Sequence, residues 1–123
     1  MKLKTLIATV AVAVTGAFAT AAVAAPLADT TVTIKGQDGD YHGYVKSADQ
    51  NHCEGGRKVS VFKLAGTSPA PKTDLKIGSD TAEPNGPDAM WSIGNSGYKH
   101  GDFYARVRGT DYCQGDLSPV ISR

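Results

Sequence analysis

The chain has 123 residues, with 13 basic against 12 acidic side chains and 41% apolar residues. That length suits one domain and excludes two of ordinary size. A charge this close to balance also speaks against a nucleic-acid binder, which would carry a basic field or stripe.

The first element in chain order is a leader. Lys2 and Lys4 precede an apolar run from Leu6 to Val14, and no acid occurs before Asp29. The stretch closes on Ala21-Ala22-Val23-Ala24-Ala25-Pro26. A positive start, an apolar middle and a small-residue A-x-A exit make a secretory signal peptide. Ala22 and Ala24 fill the two small positions for a cut after Ala24, whereas a cut one residue later would set Pro26 beside the scissile bond. Residues 1–24 are therefore expected to be removed, and residues 25–123 to fold as a single domain in the periplasm or outside the cell. Removal takes two bases and no acid, leaving 11 bases against 12 acids, a net charge of −1. No later apolar run approaches the roughly 18 residues that span a membrane. No lipid-attachment cysteine follows the cut, so neither a span nor an anchor is expected.

The remainder reads as short alternating runs punctuated by Gly, Pro, Asn and Asp, the pattern of an all-β chain. Val32 and Ile34 alternate with Thr31, Thr33 and Lys35. A turn at Gly36-Gln37-Asp38-Gly39-Asp40 leads to Tyr41, Gly43 and Val45 alternating with His42, Tyr44 and Lys46. A polar loop, residues 47–56, carries Cys53. Residues 57–64 place Val59, Val61, Phe62 and Leu64 on both faces, as a central strand does. A Pro-bearing loop over 65–74 precedes Leu75-Lys76-Ile77-Gly78. Residues 82–88 are a dense turn cluster. Ala89, Trp91 and Ile93 then alternate, as do Phe103, Ala105 and Val107 with Tyr104, Arg106 and Arg108. Val120 and Ile121 make a last short strand. About seven strands, with no helical period outside the leader, point to a Greek-key β-sandwich, an up-and-down barrel being the alternative. Its expected core is Val59, Val61, Trp91, Ile93, Phe103, Ala105 and Val107, with the lone Trp91 as an anchor and not a ligand platform.

Cys53 and Cys113 are the only cysteines. In an oxidising compartment an even count reads first as a disulfide. Loop entropy assigns a closure of this span on the order of 4 kcal/mol. His52 beside Cys53 leaves a metal pair or a catalytic thiol as rivals, but neither cysteine belongs to a C-x-x-C pair.

The order of motifs resembles a known group. Gly43-Tyr44-Val45, Lys58-Val59-Ser60-Val61-Phe62, Ile77-Gly78-Ser79-Asp80-Thr81, Asn85-Gly86, Trp91-Ser92-Ile93 and Phe103-Tyr104-Ala105-Arg106-Val107 follow in turn. Across residues 32–122 this is similar to the prealbumin-like and carboxypeptidase-regulatory-like β-sandwich domains. The two cysteines, Arg57 before the third strand and Ser118 after Cys113 further resemble small secreted bacterial domains of that fold whose function is uncharacterised. The resemblance implies a binding, spacing or stabilising module and identifies no active site, because its motifs are turns and core aromatics. One departure is an insertion in the turn, Glu83-Pro84 before Asn85-Gly86 and Pro87-Asp88 after it.

Candidate sites are few. Asp40 with His42, and His100 with Asp102, each set an acid two positions from a histidine, so a metal pair forms if the two turns meet. His52 is the third histidine. Asp38, Asp40, Asp80, Asn85 and Asp88 offer oxygen ligands of the kind Ca²⁺ prefers, but also ordinary turn chemistry. Ser79, Ser96 and Ser118 are available hydroxyls, without a G-x-S-x-G or H-E-x-x-H motif around them. No cofactor is implied. The outward positions Tyr44 and Lys46 on one strand, and Tyr104, Arg106 and Arg108 on another, would form one aromatic and basic face if the strands were neighbours. Tyr and Arg are enriched at interface hot spots. The expectation is thus a secreted, non-enzymatic β-sandwich module that binds an extracellular protein, glycan or matrix partner. A small metal-binding protein is the alternative, and a secreted enzyme or inhibitor the third.

Overall fold

The computed structural model describes residues 26–123; the leader expected over residues 1–24 lies outside them. The elements are β1 (Thr31–Val32), β2 (Lys35–Gln37), β3 (Asp40–Lys46), α1 (Gln50–Cys53), β4 (Lys58–Lys63) and β5 (Leu75–Thr81). They continue as β6 (Glu83–Asn85), β7 (Asp88–Ile93), β8 (Asp102–Val107), β9 (Asp116–Leu117) and β10 (Ile121–Ser122). All strand pairings are antiparallel and build two sheets. Sheet I runs β1-β3-β7-β6, with β2 also on β3. Sheet II runs β9-β8-β4-β5, with β10 also on β8.

Sheet I begins with a hairpin whose two turn residues are Asp38 and Gly39, at φ of 57° and 87°. Two successive positive φ values match the right-handed twist of the strands, and an Asp-Gly pair supplies them at little cost. The expected first strand is split in two at Thr33-Ile34. The Trp91 indole donates to the Thr33 carbonyl at 3.2 Å. With that carbonyl taken, the Tyr44 amide donates instead to Thr33 Oγ1 at 2.8 Å. The crossing leaves no room for a side chain at position 43, where a Cβ would stand 2.0 Å from the Thr33 carbonyl oxygen. Hence glycine stands at position 43, which stays paired with Trp91 of β7.

The polar loop over 47–56 contains a single helical turn, α1, that alternation does not reveal. Asp49 caps it by accepting from the His52 amide at 3.2 Å. The turn cluster over 82–88 is also more regular than expected. Glu83, Pro84 and Asn85 form strand β6, and only Gly86 and Pro87 turn before Asp88 pairs with Asn85. The residues read as an insertion are therefore the arms of a hairpin, with Pro84 tolerated because β6 is an edge strand.

Between the sheets lie Val32, Ile34, Tyr41, Val45, Val59, Val61, Ala82, Ala89, Trp91, Phe103, Ala105 and Val107. Tyr41 of sheet I meets Phe103 of sheet II with ring centroids 4.8 Å apart. Every expected core residue is here except Ile93, which packs against the cluster half-buried. One seam closes where the chain passes from β5 to β6 through buried Ala82. Near the other, the Val32 amide of β1 donates to Asp116 Oδ2 of β9 at 2.8 Å. Cys53 and Cys113 form the disulfide, both fully buried. It ties the end of α1 to the segment before β9.

Candidate functional site

Arg57 is the buried hub beside the disulfide. Its Nη1 donates to Thr30 Oγ1 at 3.2 Å and the Cys53 carbonyl at 2.8 Å. Its Nη2 donates to the Arg108 carbonyl at 2.7 Å and the Gln114 carbonyl at 3.1 Å. Only a planar fork with donors on two nitrogens spans four chain segments in this way. Burial pulls its pKa below the ordinary guanidinium value.

From Arg57 the chain enters β4, and alternation divides its residues. Val59 and Val61 face the core. Ser60 and Phe62 face outward, paired across the ladder with Arg106 and Tyr104 of β8. On the other side Phe62 is paired with Lys76 of β5. The outward pair Phe62 and Tyr104 is stacked at 5.4 Å and buried, although it lies on the side away from the core. The loop over 65–74 covers it. Asp74 Oδ2 accepts from Tyr104 Oη at 2.5 Å and from the Ala70 amide at 2.7 Å, and Oδ1 from the Ala65 amide at 2.9 Å. The bond from Tyr104 and the two amides lower the Asp74 pKa. Burial, and then the Asp74 carboxylate, push the Tyr104 phenol well above its usual range.

Next to this covered pair is an open cavity of about 330 Å³, lined by side chains including Lys58, Ser60, Lys76, Arg106, Arg108 and Thr110. The Arg106 guanidinium lies over the Phe62 ring, 4.9 Å from its centroid. Its Nε is shut off from water without a hydrogen-bond partner, the one such side-chain atom among the described residues. The two ion pairs within 4 Å among those residues are Lys46 with Asp88 and His52 with Asp49. Residues 1–25 hold no acid at all. The four cations around the cavity thus have no carboxylate partner. The acids are spent on main-chain amides instead: Asp40 on Asn95, Glu54 on Ser47, Asp74 on Ala65 and Ala70, Asp80 on Ser92, Asp116 on Val32.

The face expected from Tyr44, Lys46, Tyr104, Arg106 and Arg108 does not assemble. Tyr44 and Lys46 stand on β3 of sheet I, Tyr104 and Arg106 on β8 of sheet II. Tyr104 is fully buried under the 65–74 loop. Arg106 and Arg108 instead line a cavity with Lys58 and Lys76 of neighbouring strands. Alternation alone places Lys58 outward with Ser60, but which strands are neighbours is a long-range property. Asp40, His42, His100 and Asp102 are not gathered into a ligand set either. Asp40 caps the Asn95 amide, Asp102 accepts from Ser122 Oγ at 2.5 Å, and no three His, Cys, Asp or Glu side chains converge among the described residues. The Ser118 hydroxyl is held in the fold, accepting from the Ala105 amide and donating to the Pro119 carbonyl. Ser96 Oγ accepts from the Tyr98 amide. Of the Ca²⁺ candidates, Asp80 caps an amide and Asp88 faces Lys46. No helix among the described residues is long and apolar enough to cross a membrane.

No family model, curated protein or solved structure matches this chain. The chemistry of the site rests on its own geometry.

Proposed function

We propose that the chain is a secreted or periplasmic, non-enzymatic module that binds a polyanionic extracellular glycan through the outer face of sheet II. The carrying observation is the set of four cations, Lys58, Lys76, Arg106 and Arg108, around one cavity with no carboxylate to neutralise them. Unpaired cations that share a concave surface focus field and draw in an anionic partner. The buried disulfide fits an oxidising compartment, as the leader over residues 1–24 does. In this reading the two antiparallel sheets are a Greek-key sandwich of prealbumin-like type, whose loops and outer faces serve binding and not turnover. The metal-binding alternative has less support, since its four residues are engaged elsewhere or apart.

The test is retention of the purified protein on immobilised dextran sulfate at low salt, with uncharged dextran as the control. The secreted form carries a net charge of −1, so bulk charge does not retain it. Retention is expected, and the double variant Lys58→Ala/Arg108→Ala, both at exposed positions, should elute with the unretained fraction. Elution of the wild type in the void, or equal retention of the double variant, would refute the proposal.

A further inference from the structure

The groups around the cavity also limit what kind of anion it accepts. Lys58, Lys76, Arg106 and Arg108 are donors only. Thr110 Oγ1 already accepts from the Tyr112 and Cys113 amides, at 3.3 and 3.1 Å, so its remaining capacity is to donate. The Arg108 carbonyl already accepts from Arg57 Nη2. Ser60, 5% exposed, also lines the cavity. The charged side chains of this cavity therefore favour a ligand rich in acceptors. These donors also arrive from several directions. Arg106 comes from β8 and Arg108 from just past its end. Lys58 and Ser60 come from β4, Lys76 from β5 and Thr110 from the following loop. A planar carboxylate offers two oxygens in one plane, whereas a tetrahedral ester offers three outward oxygens that meet donors from several sides. The cavity volume, at the low end of ligand sites, holds such a group with about one sugar ring.

Resting on the glycan reading above, we infer that this cavity is a site for a single tetrahedral oxyanion ester, a sulfate or phosphate monoester on the glycan, held by Arg106 and Arg108 with Lys58, Ser60 and Thr110. Arg106, without a carboxylate within 4 Å among the described residues, is a group whose charge such an oxyanion would neutralise.

Titration calorimetry with inorganic sulfate, inorganic phosphate and acetate, at one chloride-adjusted ionic strength, tests the inference. Sulfate or phosphate should bind one per chain, and the tighter of the two identifies the ester. Acetate should bind at least tenfold more weakly. Arg108→Ala should weaken the preferred oxyanion at least tenfold, and Lys58→Ala should weaken it less. The Trp91 fluorescence and urea midpoint of each variant, unchanged from wild type, keep the loss from being one of folding. If dextran sulfate retains the protein but neither inorganic ion binds, or acetate binds equally well, the oxyanion site is refuted while the glycan reading stands. If immobilised dextran sulfate does not retain the protein either, both fall.

Discussion

Replacing Arg57 by Met keeps most of the apolar stem and removes the guanidinium that joins four segments. The acceptors left behind are the carbonyls of Cys53, Arg108 and Gln114 and the hydroxyl of Thr30. Arg57 is 5% exposed, so water reaches these acceptors poorly. A buried acceptor without a partner costs about 1–3 kcal/mol. Three carbonyls at the lower end give about 3 kcal/mol, the upper values being offset because the charged group no longer has to be desolvated. For a domain of this size each kcal/mol moves the Tm by about 4–8 °C, so Arg57→Met should lose about 12–24 °C. Arg57→Lys retains the charge but reaches the acceptors from a single nitrogen, and should fall between Met and wild type. Urea unfolding followed by the single Trp91, which is buried in the core, reads the change directly. If Arg57→Met stays within about 1 kcal/mol of wild type, or exceeds Arg57→Lys in stability, desolvation cancels the four bonds and the hub reasoning is wrong.

Two further predictions concern covalent closure and protonation. Reducing the disulfide, or the pair Cys53→Ala/Cys113→Ala, opens a closure of 60 positions and should cost about 4 kcal/mol of the 5–15 typical of a domain; a urea midpoint unmoved by reductant would contradict this. Tyr104 is raised in the fold, so its contribution to stability is present below the unfolded tyrosine value near 10 and lost as pH rises past it. Asp74 is lowered, so its contribution is present above the unfolded carboxylate value near 4 and lost as pH falls through the folded one. Unfolding midpoints measured across pH should show both limbs in wild type, and Tyr104→Phe should flatten the alkaline limb and weaken the acid one; identical profiles would disprove the Tyr104–Asp74 coupling.

Much of the fold is legible from local pattern. Alternation in 41–46, 58–63, 89–93 and 103–107 reflects the pleat itself, so the residues facing the core follow from a period of two. An even cysteine count, read with the leader pattern, points to the Cys53–Cys113 disulfide. The single turn α1 left no such trace, because four residues are too few to show a helical period. Residues 82–88 read as loop because Pro84, Gly86 and Pro87 punctuate them, yet an edge strand tolerates Pro84. The split at Thr33-Ile34 depends on Trp91, 58 positions away, taking a main-chain carbonyl. No local window contains that competition.

The basic face was hidden for a different reason. A chain with 11 bases and 12 acids after residue 24 reads as electrostatically bland, and on average it is. That inference assumes acids and bases neutralise one another, and here they largely do not. Asp40, Glu54, Asp74, Asp80 and Asp116 are drawn to main-chain amides at turns, loops and sheet edges, where a carboxylate satisfies a donor that the ladder leaves over. A cation cannot do that work, since Lys and Arg side chains have no acceptor. Short strands with many turns therefore consume acids structurally and leave bases on the surface. Where those bases then gather is decided by strand order, which in this chain sets β5, β4 and β8 side by side and brings Lys76, Lys58, Arg106 and Arg108 to one wall. Net charge could have revealed this face only if every acid had been counted with the amide it serves.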